Sequence, residues 1–414
     1  MRPSGIFDRE MELRDRAAQR AWLEQKLRET VMWAYERAPG VRRALDAAGV
    51  RPAEIRTIDD LQRIPITRKD ALGSLQAAEP PFAGLLATPL GELQRVFASP
   101  GPTFVPQGPA EDYWRFRMAF AATGFRAGDV VVNALAYHLT PGGFMLDSGL
   151  RSLGCVVISA GTGSTDLQVK VASHARATGY AGTPSFLRTL LHRGRELNLP
   201  LSIEAAFATA EMLPESLRAE LETDFDIRVL QGYATADLGV LAYECPEKNG
   251  MHLQPECIVE ILDLETGKPA PPGEPGQVVG TTFDLAYPLL RFATGDVSAF
   301  APDALCACGR TAPRLKGLLG RVGDAIKVKG MFVRASMMDE VMKRFPAVAR
   351  FQAVVTREEH HDHLTYVVEL APGATLDQGR LAEALRDAVK MRGDIVVGTV
   401  AQNAPKIDDR RVWR

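Results

Sequence analysis

Four side chains that commonly bind metals occur as two spaced pairs in this 414-residue sequence. Cys245 and His252 flank a turn, and Cys306 and Cys308 form a Cys-x-Cys pair further along the chain. Thiolate and imidazole are the groups that tetrahedral zinc prefers, and four protein ligands leave no position for a reacting water. We therefore expect a structural zinc that joins two loops, with Cys257 as the rival to His252. The alternative is that the five cysteines are simply buried.

The segment from residue 291 to 330 holds two further polar features. Asp296 comes directly after a glycine, where a loop can present a carboxylate to a ligand. Further on, Arg321 opens the run Arg-Val-Gly-Asp, in which Gly323 gives the backbone the freedom that a hinge needs. These residues predict a ligand-binding acid followed by an interdomain hinge.

Together the two features resemble the adenylate-forming ligases, and within them the phenylacetate–CoA ligase-like family. That family carries an R(Y/F)xTxD element and then a GRxxDxI hinge, which match residues 291–296 and 320–326 here. The resemblance implies that Asp296 binds the ribose hydroxyls of ATP, that Arg321 assists, and that a small domain rotates about Gly323. It covers essentially the whole chain.

Two more segments resemble nucleotide-binding motifs of the same family. Residues 209–211 read Thr-Ala-Glu and match its adenine-side Gly-Ala-Glu, and residues 231–237 match its (Y)GxxE segment, in which an aromatic ring stacks on adenine. The resemblance assigns nucleotide contacts to Ala210, Glu211, Gly232 and Tyr233.

The residues that contact phosphate and magnesium match the family's motif less completely than those on the adenine side. By resemblance Thr235 contacts a phosphate and takes part in catalysis. The glutamate that helps the family hold Mg²⁺ is replaced by Ala236, so magnesium binding is weakened unless Asp237 or Glu244 substitutes.

The segment aligned with the family's phosphate loop departs from its pattern. Relatives carry a Ser/Thr/Gly-rich loop that ends in Gly-Lys-Pro, and its N–H groups and hydroxyls hold the ATP phosphates. Residues 97–106 read FASPGPTFVP, which keeps Ser99, Gly101 and Thr103 as ligands but contains no lysine. Its prolines lack the N–H donor and fix φ. Either the loop binds triphosphate poorly, or the chain uses another group, or it no longer activates acids with ATP.

An aromatic, glycine-rich segment follows a predicted buried strand at residues 129–133. Residues 136–143 read AYHLTPGG, and the family has such a segment along its acyl pocket. The resemblance implies that Tyr137, His138 and Gly142 line the pocket for the acid. From the residues alone, His138 could equally be an ordinary loop histidine with no contact to the substrate.

The C-terminal part predicts a small domain of its own, with the element order β-α-β-β-α-β. We expect a large N-terminal adenylate-forming domain over residues 1–320, built of α/β layers and a β-rich subdomain, and a mobile α+β domain over residues 321–414. The family's C-terminal loop carries a lysine that contacts the carboxylate and phosphate during adenylation. Lys406 fits this role, although alignment on the terminal Asp-Arg places Asn403 there instead.

Composition sets the remaining limits. The sequence is 46% hydrophobic and 24% charged with a net charge of −2, which gives no case for nucleic acid or an anionic membrane as partner. It has no apolar run suited to a signal peptide or a membrane span, and five cysteines form no disulfide framework. We expect a cytoplasmic enzyme with small-molecule partners, and a homodimer.

The resemblance implies ATP-dependent activation of an aromatic carboxylic acid to an acyl-adenylate, followed by transfer of the acyl group to CoA. The implied cofactors are ATP or AMP, magnesium, coenzyme A and structural zinc. Two alternatives remain. One is a ligase-fold transferase that handles a preformed acyl-adenylate or acyl-CoA, and the other is a nucleotide-binding relative without catalysis. The proline-filled loop favours both alternatives.

Overall fold

The computed structural model describes residues 5–99, 103–264, 266–322, 325–328, 331–358, 361–402 and 404–411. The chain divides into two compact units. The first holds Met1–Leu213 and Arg218–Gly320, and the second holds Arg321–Arg414 together with Pro214–Leu217. Among the described residues, no helix combines the length and the apolar character that crossing a membrane requires.

Helices open the first unit because their sequences combine caps with apolar residues at helical spacing. The Asp15 side chain accepts hydrogen bonds from the N–H groups of Ala17 and Ala18 at the start of α2, and Leu27 and Val31 are buried on one face of that helix. The elements of this region are α1 Arg9–Glu12, α2 Arg16–Arg37, α3 Pro39–Ala47, the 3₁₀ turns Pro52–Glu54 and Ile58–Arg63, β1 Thr67–Arg68, α4 Lys69–Ala78 and the 3₁₀ turn Leu90–Glu92.

A parallel sheet with alternating helices forms the centre of the unit. Its short strands are nearly continuous apolar runs, which is typical of strands covered on both faces. The strands and helices are β2 Arg95–Ser99, β3 Thr103–Gln107, α5 Arg117–Thr123, β4 Val130–Asn133, α6 Gly142–Ser152, β5 Val156–Ser159, α7 Thr165–His174, β6 Gly179–Gly182, α8 Pro184–Glu196, β7 Ala205–Ala208, α9 Glu215–Asp224 and β8 Arg228–Thr235. The parallel part has the order β8-β7-β6-β4-β5, and β2 and β3 form a separate hairpin.

The same sheet continues into a β-rich region. Its strands are β9 Gly239–Glu244, β10 Met251–Leu253, β11 Cys257–Leu262, β12 Gly276–Thr282, β13 Phe292–Phe300 and β14 Arg314–Arg321. The twelve-stranded sheet has the order β11-β12-β13-β14-β10-β9-β8-β7-β6-β4-β5, and β1 pairs with β13. Because β8 belongs to both parts, the sheet connects residues near Tyr233 with those near Asp296.

The second unit has its own sheet and core. Its elements are β15 Ala325–Val328, β16 Met331–Arg334, α10 Ala335–Met342, β17 Val348–Glu358, β18 His361–Leu370, α11 Gln378–Val389, β19 Asp394–Val397 and β20 Ile407–Asp409. The four-stranded order is β19-β18-β17-β20, and Leu381, Leu385 and Val389 bury one face of α11.

The expected fold class is confirmed: a large α/β region with a β-rich part, and a smaller α+β unit. Two strands of the second unit were not expected from the sequence. β16 has four residues and runs directly into α10, so its pattern merges with that of the helix, and β20 has only three residues. Strands this short carry too few alternating positions to be recognised.

Candidate functional site

Tyr233 and Asp296 form the centre of the candidate nucleotide site. The Tyr233 hydroxyl donates to Asp296 Oδ2 at 2.8 Å and lies 3.0 Å from Thr294 Oγ1. Thr294 Oγ1 also accepts from the Asp296 N–H at 3.1 Å, and both Tyr233 and Asp296 are buried. The motif acid and the motif aromatic residue therefore meet, although they lie on β13 and β8.

The ends of β7 and β8 place the other adenine-side residues. Ala210 follows β7 with φ +67°, a left-handed backbone that is uncommon for alanine and that often marks functional segments. Glu211 accepts a hydrogen bond from the Ser185 hydroxyl at 2.6 Å. At Gly232 a Cβ would lie 2.3 Å from Cζ of Phe207, so only glycine fits there.

Thr235 and Asp237 lie just beyond, at the phosphate end of the motif. Thr235 Oγ1 accepts from the Leu238 N–H at 3.0 Å and so holds the turn that follows β8. Asp237 is buried, its Oδ2 accepts from Lys69 Nζ at 2.6 Å, and its Oδ1 has no hydrogen-bond partner among the described residues.

Glu244 is committed to a buried ion pair. Its two carboxylate oxygens accept from Arg218 at 2.9 and 3.0 Å, and the backbone and side chain of Gln231 donate to the same carboxylate. Of the two carboxylates considered as substitutes for the missing magnesium ligand, Glu244 therefore has a structural partner for each oxygen, and Asp237 retains an unsatisfied one.

Lys69 is a site residue that the sequence analysis missed. It is the first residue of α4, directly after β1, which pairs with β13 at Phe292 and Ala293. The side chain of Gln76 on the same helix binds both backbone groups of Phe104 in β3, at 2.7 and 2.8 Å. α4 thus holds Lys69 between the strand that carries Asp296 and the hairpin of the candidate phosphate loop.

That hairpin keeps two of the expected hydroxyl ligands, which contact each other. Ser99 Oγ and Thr103 Oγ1 are 2.5 Å apart and both residues are buried. Gly101, the third expected ligand, lies outside the described residues.

The candidate acyl segment contacts the same hairpin. The Ala98 N–H donates to the Leu139 carbonyl at 2.9 Å, and the rings of Phe97 and Phe144 have centroids 5.3 Å apart. Tyr137 is partly buried and its hydroxyl bonds Asp147, whereas His138 is exposed. Gly142 is the first residue of α6.

The four candidate metal ligands converge. Their ligand atoms, from Cys245, His252, Cys306 and Cys308, all lie within 4.8 Å of one another. The Sγ atoms of Cys245 and Cys306 are 3.6 Å apart, and Cys308 Sγ lies 3.4 Å from His252 Nε2. His252 Nδ1 contacts the Ala312 carbonyl at 3.2 Å, which leaves Nε2 to face the thiols.

Neighbouring elements explain this convergence. Cys245 follows β9, His252 lies on β10 and the Cys306–Cys308 loop precedes β14, and β10 pairs with both β9 and β14. A hydrogen bond with Cys245 lowers the pKa of the Cys308 thiol. Cys257, the rival ligand, instead points its Sγ at the Gln254 carbonyl, 3.4 Å away.

In the second unit, Lys406 is held by a carboxylate. Its Nζ donates to both oxygens of Asp339, at 2.6 and 2.7 Å, and lies 5.7 Å from the ring centroid of Phe351. Arg321 is the last residue of β14 and the first of this unit. Gly323 and Asn403 lie outside the described residues.

Comparisons with known proteins agree with this architecture. Residues 111–282 match the family described as AMP-binding enzyme. A solved 2-hydroxyisobutyryl-CoA ligase has the same fold, with a TM-score of 0.87 over 97% of this chain and 92% of that one at 23% identity. The amide bond synthetase McbA from Marinactinospora thermotolerans has a TM-score of 0.59 over 93% and 92% of the chains, at 18% identity. Fold and family match define an adenylate-forming enzyme.

Closer relatives narrow the class. Phenylacetate-coenzyme A ligase of Thermus thermophilus is 34% identical over 401 residues, which cover 93% of this chain and 88% of the relative. The Escherichia coli K12 protein of the same name is 30% identical over 371 residues, with 84% and 81% covered. The chain belongs to the phenylacetate–CoA ligase-like family of AMP-forming acid–CoA ligases.

Proposed function

We propose that this chain activates an aromatic carboxylic acid with ATP to form an acyl-adenylate and then transfers the acyl group to CoA. In-line attack of the carboxylate on the α-phosphate depends mainly on positioning and charge neutralisation. Tyr233 stacks on adenine, Asp296 accepts from the ribose hydroxyls, and Arg321 assists. Ala210, Glu211 and Gly232 line the adenine side. Tyr137, His138 and Gly142 line the pocket for the acid.

The observation that carries this proposal is the 2.8 Å hydrogen bond between Tyr233 and Asp296. It supports a nucleoside site because a stacking ring and a ribose-binding acid must lie side by side. The test is a screen of aromatic acids for AMP release, with and without CoA. AMP release that requires both an acid and Asp296 supports the proposal. Its absence with every acid, while AMP still binds, would favour the second candidate.

The second candidate is a ligase-fold transferase or non-catalytic relative that binds adenylates without using triphosphate. The paired hydroxyls of Ser99 and Thr103, 2.5 Å apart, support it because they satisfy each other. Acid-dependent release of AMP from Mg·ATP separates the two candidates, because only the first uses triphosphate.

For the phosphate end we propose that Lys69, Thr235 and Asp237 supply phosphate and magnesium contacts that the altered loop lacks. Asp237 fits a magnesium ligand because its buried Oδ1 lacks a hydrogen-bond partner among the described residues. Magnesium at this point supplies charge neutralisation for the phosphates. Lys69, whose Nζ lies 2.6 Å from Asp237 Oδ2, adds a positive charge at this end of the motif.

We also propose that Cys245, His252, Cys306 and Cys308 hold a structural zinc. The two ligand-atom pairs that lie 3.4 and 3.6 Å apart suit edges of a tetrahedron with metal bonds of about 2.0–2.3 Å, and all four atoms lie within 4.8 Å of one another. The chemistry that zinc supplies here is stabilisation: it links the loop after β9 to the loop before β14.

For the second unit we propose that Lys406 contacts the reacting carboxylate and phosphate, and that residues 321–414 rotate about Gly323 between the half-reactions. Lys406→Ala should then slow adenylation more than transfer to CoA from a supplied acyl-adenylate. Gly323→Pro should damage thioester formation more than adenylation, and equal loss in both steps would count against a hinge.

We also propose a cellular compartment and an oligomeric state for the enzyme. All five cysteines are free thiols, which suits a reducing compartment such as the cytoplasm. The homodimer stays a prediction, and light scattering of the purified protein tests it.

A further inference from the structure

A polar network occupies the carboxyl ends of β4 and β5. Asn133, the last residue of β4, is buried and donates to the Tyr137 hydroxyl and to the Gly143 carbonyl, both at 2.7 Å. The Tyr137 hydroxyl donates to Asp147 Oδ2 at 3.0 Å. The hydroxyl of Ser159, the last residue of β5, donates to the same oxygen at 3.4 Å.

This network leaves one strong acceptor uncommitted. Asp147 Oδ2 receives two donors. Among the residues that the structure describes, Oδ1 accepts no hydrogen bond, and the guanidinium of Arg151, which is 72% exposed, lies 3.9 Å from it. The Asp147 side chain is 18% exposed, so a small group can reach it. Burial raises the pKa of Tyr137, which therefore remains a protonated donor at neutral pH. Aspartate is a weak helix former, and here it sits inside α6.

The network and the candidate nucleotide residues lie along the same edge of the sheet, at the carboxyl ends of its parallel strands. Ligands of open α/β sheets bind outside the carboxyl ends of the parallel strands. The nucleotide motifs follow β7 and β8. In the order β8-β7-β6-β4-β5, the ends of β4 and β5 that hold the Asp147 network lie two to four strands away, about 10–19 Å. The candidate acyl segment, residues 136–143, follows β4, so its assignment to the acid pocket places the acyl part on the same side of the nucleotide as this network.

We propose that the acid substrate carries a hydroxyl or neutral amino group, remote from its carboxylate, that donates a hydrogen bond to Asp147 Oδ1. This inference rests on the proposed function and specifies its substrate class. Asn133 and Ser159 orient the acceptor through Tyr137 and Oδ2. A site built around a charged acceptor discriminates against analogues without a donor, because the acceptor then loses water without gaining a partner.

The test uses non-hydrolysable acyl-sulfamoyl adenosines made from 3- or 4-hydroxyphenylacetate and from the matching methoxyphenylacetates. Calorimetry with the wild-type chain should show at least one hydroxyl compound binding roughly tenfold tighter than its methoxy partner. Asp147→Ala should remove this preference. Ser159→Ala, which takes a donor from Asp147 but leaves Oδ1 in place, should keep it. If Asp147→Ala unfolds, the isosteric Asp147→Asn should lower the preference.

Equal affinities for the hydroxyl and methoxy compounds, or a preference that survives in Asp147→Ala, would overturn the inference. AMP binding separates this failure from that of the proposed function. If AMP binds and the mimics bind without preference, only the substrate class is wrong. If neither AMP nor any mimic binds, the proposed function fails and this inference fails with it.

Discussion

The Tyr233 hydroxyl on β8 donates to the Asp296 carboxylate on β13 at 2.8 Å, although 63 residues separate them. In the proposed nucleotide site, Asp296→Ala removes the acceptor for both ribose hydroxyls. Each charge-assisted hydrogen bond is worth about 1.5–3 kcal/mol, so AMP affinity should fall by a factor of about 100 or more. Tyr233→Phe keeps the ring but loses one hydrogen bond, and should lower AMP affinity by a factor of about 3 to 10. Calorimetry with AMP measures both.

Tyr35→Phe is the matched control for this pair. Its hydroxyl bonds Asp46 on the surface of the helical region, so the change should leave AMP affinity as it is. A Tyr233→Phe variant that binds no worse than this control would contradict the assigned contact.

Gly232 is predicted to accept no side chain. A Cβ there would lie 2.3 Å from the buried ring of Phe207, so Gly232→Ala should destabilise the fold by about 1–3 kcal/mol through overpacking. Urea unfolding measures this loss. Gly91→Ala, where the new Cβ meets nothing within 4 Å, is the control. In a Phe207→Leu background the Gly232→Ala loss should shrink, and strict additivity would argue against the clash.

The family motifs could be located from sequence because they are local. Residues such as Asp296 and Tyr233 belong to short runs whose order along the chain is itself informative, and the Cys/His set is recognisable because few other chemistries need those residues. Side chains that are distant in sequence but pair in the fold form no such recognisable local motif. Lys69 and Asp237 meet across 168 residues, and Asp147 reads in sequence as an ordinary helical acid.

Glu244 illustrates the same limit. Sequence alone made it a candidate for magnesium, because it is a carboxylate close to the motif, and only the fold brings Arg218 to it. Which of two nearby acids is free for a ligand depends on partners that the chain supplies from elsewhere.

The Arg218–Glu244 pair is predicted to stabilise the fold and to have no role in magnesium binding. Both side chains are buried, so Glu244→Ala leaves an uncompensated guanidinium and should cost about 3–5 kcal/mol in the free energy of unfolding. Replacing both residues by apolar ones of similar volume should recover much of that loss. The magnesium concentration needed for half-maximal nucleotide binding should not change in a Glu244→Gln variant that folds. A large change would instead make Glu244 a ligand.

One zinc per chain is the expected result of metal analysis on untagged protein. His252→Ala and Cys308→Ser each remove a ligand and should lose the metal, and a chelator should lower the melting temperature of the wild type because metal binding contributes to folding. Cys257→Ser should retain zinc, since its thiol faces the Gln254 carbonyl. Zinc retained in His252→Ala but lost in Cys257→Ser would move the fourth ligand to Cys257.

The last prediction concerns the phosphates of the nucleotide. The adenosine side keeps its groups, whereas the loop at residues 97–106 has prolines and no lysine, and Ser99 and Thr103 bond each other. We therefore expect AMP or an acyl-adenylate mimic to bind at least as tightly as Mg·ATP. Lys69 is the cation bound to Asp237 at the proposed phosphate end, so Lys69→Met should weaken Mg·ATP by a factor of about 10 or more and AMP much less.

Lys26→Met, on the surface of α2, is the control, because its ammonium group pairs with the exposed Glu29. Calorimetry of AMP and Mg·ATP on wild type and both variants gives the comparison. Mg·ATP binding clearly tighter than AMP in the wild type would mean that the loop's hydroxyls suffice for an ordinary ligase. Equal losses for AMP and Mg·ATP in Lys69→Met would place Lys69 away from the terminal phosphates, because a charge that acts on those phosphates must distinguish the two nucleotides.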